Sequence, residues 1–273
     1  MLALYNRLGD HPPIGGAPVV IGVGSQAYLG IVLFCLGYLD QGFSHGNTAA
    51  ANARSLAHPT SLAVGLALRA RLLSLAGDDA ALGEQADQLI SVAIEQGFRQ
   101  WHAQGTIYRG WVKVKNGGVA EGMSLLRSGL IAFRATGAEL WVPHFLALLA
   151  GACEIDGHIE EGLGLLDEAV QIVERTGERW LKAELYRLKG ELLLRQGYIE
   201  AAEDLYHQAL SIAGEQEAKL WELRTAVSFA RLRRDQGRPS EARDLLAPVY
   251  GWFTEGFGTP DLKEAKSLLG ELT

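Results

Sequence analysis

Cysteine is scarce in this 273-residue sequence, and basic residues are fewer than acidic ones. The two cysteines, Cys35 and Cys153, are too few for a disulfide framework, so a reducing, cytoplasmic setting is predicted. The 25 Lys and Arg against 32 Asp and Glu give a net charge of −7, which argues against a broad basic surface for nucleic acid. With 48% hydrophobic residues the chain can still bury a core, so intrinsic disorder is excluded.

Charge is also missing from residues 12–39, and the proline-free part, residues 19–39, is nominally long enough to cross a bilayer. Glycines interrupt this stretch repeatedly, and the polar residues Ser25 and Gln26 lie near its middle. Asp10 and two prolines precede it, where a signal peptide would carry basic residues. We therefore predict a buried helix here and no membrane partner.

The sequence lacks the groupings that catalysis, metal binding or cofactor binding require. Residues 19–27, ValValIleGlyValGlySerGlnAla, imitate the start of a dinucleotide-binding fold, but no second strand follows, and no GxxxxGK[ST] phosphate loop occurs. The seven histidines are scattered, and none lies four residues from another histidine or a cysteine. We predict no catalytic, cofactor-binding or metal-binding residue, and we do not expect an enzyme.

What the sequence does contain is a repeat of 40 residues. Glycine recurs at 37, 77, 117, 157, 197 and 237, and seven residues earlier stand Gly30, Ala70, Gly110, Ala150, Gly190 and Ala230. Antiparallel helices approach closely only where side chains are small, so each repeat is predicted to be a helical hairpin whose first helix, helix A, ends at the glycine. Glycines at 97, 137 and 177 are predicted to end the second helix, helix B.

This register predicts an all-α fold, a right-handed TPR-like solenoid of about six such hairpins. Residues 1–21 are expected to form a loop with the remnant of a preceding helix, residues 22–258 the repeats, and residues 259–273 a capping helix. Thr259 is expected to cap this last helix and Pro260 to open it. The hairpins are predicted at 22–56, 61–96, 101–135, 141–175, 180–213 and 221–253.

The fifth repeat resembles a tetratricopeptide (TPR) repeat, whose small and large positions are matched by Gly190, Gly197, Ala202, Tyr206 and Ala209. A TPR unit has about 34 residues, so this repeat is longer. Residues 183–194, AlaGluLeuTyrArgLeuLysGlyGluLeuLeuLeu, and residues 241–269 resemble the C-terminal helical array of bacterial class III adenylate/guanylate cyclases. The sequence departs from the expected pattern at Gly258, at Glu217 and in the glycine-rich helix B of the first repeat (Gly42 and Gly46).

In that family a cyclase domain precedes a STAND-type ATPase, and the helical array ends the chain. The resemblance implies a non-enzymatic, regulatory protein–protein interaction module, cut away from its enzymatic domains or encoded without them. The longer repeat also resembles the sensor arrays of maltose-type transcription activators. A second hypothesis is therefore a small-ligand sensor that controls an attached output domain, which an enclosed pocket would favour over a long open groove.

The candidate partner-binding residues lie on helix A of the third to sixth repeats, because inner helices line the concave face of TPR-like arrays. The fifth repeat contributes Glu184, Arg187, Glu191 and Arg195, and the other repeats contribute Gln104, Tyr108, Trp111, Lys115, His144, Glu154, Arg224, Arg231 and Arg234. A protein or peptide is the predicted partner, with an upstream domain of the same parent chain as one candidate. The simpler interpretation is a solvated stripe of i, i+4 ion pairs.

A basic cluster near the end of the chain is a further candidate surface. Its members are Lys219, Arg224, Arg231, Arg233, Arg234, Arg238 and Arg243. Such local asymmetry in an acidic chain is suited to an acidic partner surface. The alternative is that these residues only complement the dipoles at helix C-termini.

Overall fold

The computed structural model describes residues 17–272, with side chains from residue 20 onward. Within that range the chain forms helices and turns without a strand, which confirms the predicted all-α class. The helices are α1 (Ala17–Cys35), α2 (Leu39–Ser55), α3 (Pro59–Ala76), α4 (Asp79–Gln96), α5 (Arg99–Lys115), α6 (Val119–Arg134), α7 (Val142–Ile155), α8 (Ile159–Thr176), a 3₁₀ turn (Arg179–Leu181), α9 (Lys182–Arg195), α10 (Ile199–Glu215), α11 (Lys219–Asp235), α12 (Pro239–Gly251) and α13 (Pro260–Glu271).

The chain divides into two compact units. The first contains the residues up to Phe34 together with Tyr38–Gly137, and the second contains Cys35–Gly37 and the chain from Ala138 onward. Helices consecutive in sequence pack as hairpins, such as α5 with α6 in the first unit and α9 with α10 in the second. In the second unit α9 also packs against α11, and α13 packs against α11 and α12. These contacts are those of a TPR-like repeat.

The glycines of the repeat end helices, as predicted. All six glycines spaced by 40 residues have positive φ, between 68° and 95°, and so do Gly97, Gly137 and Gly177. This left-handed conformation lets backbone N–H groups satisfy the last helical carbonyls, and glycine adopts it without a Cβ clash. Ala57 and Glu217 adopt it too, at φ 46° and 53°, so a left-handed residue recurs every 20 residues from 37 to 237. The departure at Glu217 therefore keeps the turn, at a strain of about 1 kcal/mol.

The small residues of the repeat lie where helices approach each other. Ala70 and Ala230 are completely buried, and a Cβ added to Gly110 would lie 2.8 Å from the backbone N of Leu126. A Cβ added to Gly190 would lie 2.7 Å from the ring of Tyr206. Close packing of this kind leaves no room for a larger side chain, which explains the repeated small residue.

Two predicted boundaries need correction. Helix α1 begins at Ala17, so residues 17–21, predicted as loop, are helical; Pro18 fits the first turn because its missing N–H would have no helical partner there. The rest of the predicted N-terminal segment lies outside the described residues. Thr259 is the N-cap of α13 and Pro260 its first residue, but the Thr259 hydroxyl donates to the Gly256 carbonyl instead of accepting from the helix.

Residues 19–27 lie within the single helix α1, so the strand that a dinucleotide-binding fold requires is not formed there. Among residues 17–272 no helix combines the length and the apolar character needed to cross a membrane.

Candidate interaction surface

Helix α9 carries a buried ion network in the second unit. Its Glu184, Arg187 and Glu191 share one side because they are spaced at three and four residues. Arg187 donates to both oxygens of Glu184 at 2.7 Å, to Glu191, and to the hydroxyl of Ser228 on α11 at 3.1 Å. The side chains of Arg187 and Glu184 are only 12% and 8% exposed. The predicted solvated stripe is therefore a closed network, which forms the floor of the surface.

Arg224 on α11 links this floor to α13. Its Nε and Nη2 donate to the two carboxylate oxygens of Asp261 at 2.7 and 2.9 Å, and its Nη1 donates to Glu184 at 3.4 Å. Burial opposes ionisation of Glu184, but Arg187 and Arg224 outweigh it, so the pKa of Glu184 lies below its ordinary value. Burial also opposes the charge of Arg224, but Asp261 and Glu184 raise the pKa of Arg224 above its ordinary value.

Two depressions lie over this floor and share Glu191, Ser228 and Arg231. One, of about 200 Å³, is bounded by α9, α11 and α13; the other, of about 580 Å³, lies toward the C-terminal ends of α9 and α11. We call the two together the second-unit trough, defined by Glu154, Arg187, Glu191, Arg195, Ser228, Arg231 and Glu264. Apolar atoms of Leu194, Ile199 and Tyr206 contribute to its larger depression.

The rim of the second-unit trough carries exposed ion pairs. Arg195 donates to Glu154 at 3.1 Å with 67% of its side chain exposed, and Arg231 pairs with Glu264 with 47% exposed. Exposed pairs of this kind contribute about 1 kcal/mol or less, so their arginines can exchange an internal carboxylate for one on a ligand at small cost. The floor is fixed, whereas the rim is adaptable.

His144 and Arg234 were predicted for the same groove but line neither depression. His144 is 4% exposed, and its ring lies 6.2 Å from that of Trp180. Arg234 pairs with Asp235 and with Glu271 of α13. Sequence reasoning in turn missed Ser228 and the acidic residues of α13. Glu264 follows Arg224 by the repeat length of 40, which was the available signal.

In the first unit the predicted residues do not assemble a comparable surface. Gln104 is buried, donating to the Ala67 carbonyl and accepting from Arg71. Tyr108 is 0% exposed, and burial raises its pKa to about 12. Its place in the repeat corresponds to Leu188, a neighbour of Arg187, which explains why Tyr108 belongs to the core. These two residues cannot contact a partner in this conformation.

Trp111 and Lys115 do reach the surface of the first unit. Trp111 is half-buried and donates from Nε1 to Asp79 at 3.1 Å. Lys115 is exposed, with its Nζ 5.6 Å from the Trp111 ring centroid. Burial raises the pKa of Asp79, against the opposing effects of Lys115 and of the Trp111 hydrogen bond.

The basic cluster at the end of the chain is not a free basic surface. Three of its arginines pair with acidic residues of α13, which are distant in sequence but packed against α11. The pairs and hydrogen bonds are Lys219 with Glu222, Arg224 with Asp261, Arg231 with Glu264, Arg233 with Glu203, Arg234 with Glu271, Arg238 with Glu241, and Arg243 with the Leu269 carbonyl.

No family model matches the chain. An uncharacterized protein of Rhizobium meliloti (strain 1021) is 28% identical over 116 residues, which cover 42% of this chain and 11% of that protein. The match therefore spans only a small part of that relative's length.

Solved structures resemble the whole chain. A Rap protein complexed with competence and sporulation factor superposes with a TM-score of 0.65 at 12% identity, covering 99% of this chain and 78% of that one. The apo quorum sensor NprR from B. thuringiensis gives 0.55 at 13% identity, covering 91% and 69%. A STAND protein with a TPR sensor from Pyrococcus horikoshii gives 0.50 at 12% identity, covering 100% and 41%. At such identities these likenesses show the fold, a TPR-like helical repeat.

Proposed function

We propose that the chain is a TPR-like regulatory module that binds a protein or peptide segment in the second-unit trough. The observation that carries this proposal is the combination of a fixed, buried ionic floor with an exposed rim of arginines along α9 and α11. A pre-organised floor lowers the entropic cost of binding, and a rim of exchangeable ion pairs supplies specificity for charged side chains.

An elongated ligand fits the trough better than a compact metabolite. The depression of about 200 Å³ is smaller than the roughly 300 to 1,000 Å³ usual for small-molecule pockets. The depression of about 580 Å³ is large enough, but it is continuous with the smaller one through Glu191, Ser228 and Arg231. A segment of several residues could occupy both, so the sensor hypothesis receives less support than peptide binding.

We further propose that this module regulates other domains of a longer signalling chain. The proposal has three supports: the resemblance of residues 183–194 and 241–269 to cyclase-associated arrays, the likeness to the TPR sensor of a STAND protein, and the match to a much longer relative. Binding in the trough would then alter the activity of an attached enzymatic or DNA-binding domain, while the array itself catalyses nothing.

The test is selection of peptides from a displayed random library on the 273-residue chain, followed by affinity measurement of the selected peptides by fluorescence anisotropy. Arg195→Ala and Arg231→Ala are each expected to weaken binding about five- to tenfold, as interface arginines do. Arg175→Ala is the matched control, because Arg175 forms an equally exposed ion pair with Glu139, at 2.9 Å, outside the trough.

Selected peptides that bind both rim variants with wild-type affinity would contradict the assignment of the trough. Equal losses with Arg175→Ala would contradict it as well, because they would show a general charge effect.

A further inference from the structure

A contact between helix A and the preceding helix B recurs at a sequence distance of 22 residues. Arg109 donates from Nε to Asp87 at 2.8 Å, and Lys189 pairs with Asp167 in the same way. Arg69 occupies the equivalent place in the second repeat, but its Nε donates to the side-chain amide oxygen of Asn47, at 3.1 Å. Here the hydrogen bond is kept and the negative charge is absent.

Arg69 is held by neutral partners on its other side as well. Its Nη1 donates to the amide oxygen of Gln85 at 2.6 Å. Gln85 is buried, and it stands where later repeats have Leu125, Leu165, Leu205 and Leu245. A buried glutamine in a leucine position costs packing energy unless it is hydrogen-bonded, and here it fixes the guanidinium.

A second arginine next to this site has the same kind of partner. Arg54 donates from Nη2 to the amide oxygen of Gln88 on α4, at 3.0 Å. Within residues 17–272 neither Arg54 nor Arg69 forms an ion pair with a carboxylate. Burial and the nearby charge of Arg54 lower the pKa of Arg69, although Asp78 and Glu84 act in the opposite direction. The two positive charges therefore remain largely uncompensated at short range.

We propose that Arg69 and Arg54 form an anion-binding site on the first unit, which accepts a carboxylate from an acidic segment of a partner protein. Arg69 uses Nε and Nη1 for Asn47 and Gln85, and Arg54 uses Nη2 for Gln88, so Nη2 of Arg69 and Nε and Nη1 of Arg54 are available as donors. A carboxylate is the expected group because aspartate fills the equivalent place beside Arg109 and Lys189. The net charge of −7 disfavours nucleic acid and anionic membranes as partners.

The reciprocal exchange Asn47→Asp and Asp87→Asn tests this site. Asn47 and Asp87 are both exposed, so the isosteric changes are not expected to impair folding. Hexaglutamate is titrated into the ¹⁵N-labelled chain at low salt, and the arginine Nε–H signals are followed by NMR, with hexaglutamine as the uncharged control. In the wild type the signal of Arg69 is expected to shift saturably, whereas the signal of Arg109, paired with Asp87, stays unchanged.

Asn47→Asp is expected to weaken binding at Arg69 at least about fivefold, because it supplies an internal carboxylate. Asp87→Asn is expected to make Arg109 responsive. The proposal is overturned if Asn47→Asp leaves the titration unchanged, if hexaglutamine acts equally, or if Arg175 and Arg238 respond as strongly as Arg69. A response to inorganic phosphate with none to hexaglutamate would overturn the assignment of a carboxylate ligand.

Discussion

The two units have the same helical repeat but compensate their arginines differently. In the first unit Arg54 and Arg69 donate to side-chain amides, whereas in the second Arg187 and Arg224 donate to buried carboxylates. The small residues at helix contacts and the left-handed turns recur in both units. The scaffold of a TPR-like repeat thus depends on close packing and turn geometry, and its polar positions are free to diverge toward function or internal bonding.

The comparison is broken most severely by removing a buried charge from the second unit. Arg224→Ala leaves Asp261, 13% exposed, without its bidentate partner, so a loss of about 3 kcal/mol in the free energy of unfolding is expected. Arg69→Ala in the first unit removes bonds to neutral amides and should cost about 1 kcal/mol. Urea unfolding followed by circular dichroism measures both variants.

The double variant Arg224→Met/Asp261→Leu is the control for burial. It should recover most of the stability, because apolar residues of similar size can replace a buried ion pair. Equal losses in Arg224→Ala and Arg69→Ala would mean that the two kinds of partner are energetically equivalent.

The shared packing is tested by adding a methyl group at the same repeat position in each unit. Gly110→Ala in the first unit would press on backbone atoms at 2.8 and 2.9 Å, whereas Gly190→Ala in the second would press on the Tyr206 ring at 2.7 Å. Backbone cannot move away without shifting a helix, so Gly110→Ala is expected to cost about 2 kcal/mol and Gly190→Ala less.

Gly164→Ala is the matched control for these glycines. A Cβ there would meet nothing within 4 Å, so the better helix propensity of alanine should stabilise the chain by up to about 1 kcal/mol. Thermal unfolding midpoints rank the three variants, and a stabilising Gly110→Ala would show that α5 and α6 do not approach closely at this residue.

The fold was predictable from sequence because the repeat marks its turns and contacts directly. Glycine with positive φ and small buried residues have few substitutes, so Gly197 and Gly190 stand out at fixed spacing. The start of α1 was placed five residues late because its first turn contains Pro18, which is as common in a loop as at a helix start.

The site was only partly predictable, because pairing partners lie far apart in sequence. Glu191, Arg195 and Arg231 line the trough, but Tyr108 was assigned one residue out of register and lies in the core. The basic cluster was misjudged because its acidic partners Asp261 and Glu264 come from α13. Helical spacing shows which side of a helix a residue occupies, and it does not show which charges another helix brings to it.

The smallest expected effect is a difference in how acid destabilises the two units. The pKa of Glu184 in the second unit lies below its ordinary value of 4.5, so its contribution to stability is complete above about pH 4.5 and is lost as the pH falls through the lower folded-state pKa. Asp79 in the first unit shows the opposite direction, because burial raises its pKa above 3.8. Its ionised form costs stability at neutral pH, and that cost disappears on acidification.

Hydrogen exchange with mass spectrometry, corrected for intrinsic rates, can follow both units in one sample between pH 7 and pH 3.5. Protection of α9 and α11 is expected to fall more than protection of α4 and α5, by less than the loss caused by Arg224→Ala, since each unit of pKa shift corresponds to about 1.4 kcal/mol. Glu184→Gln should lower protection of α9 at pH 7 and flatten its pH dependence, because glutamine does not titrate in this range. If α9 and α4 lose protection in parallel and Glu184→Gln leaves both curves unchanged, the buried network does not set the acid response of the second unit.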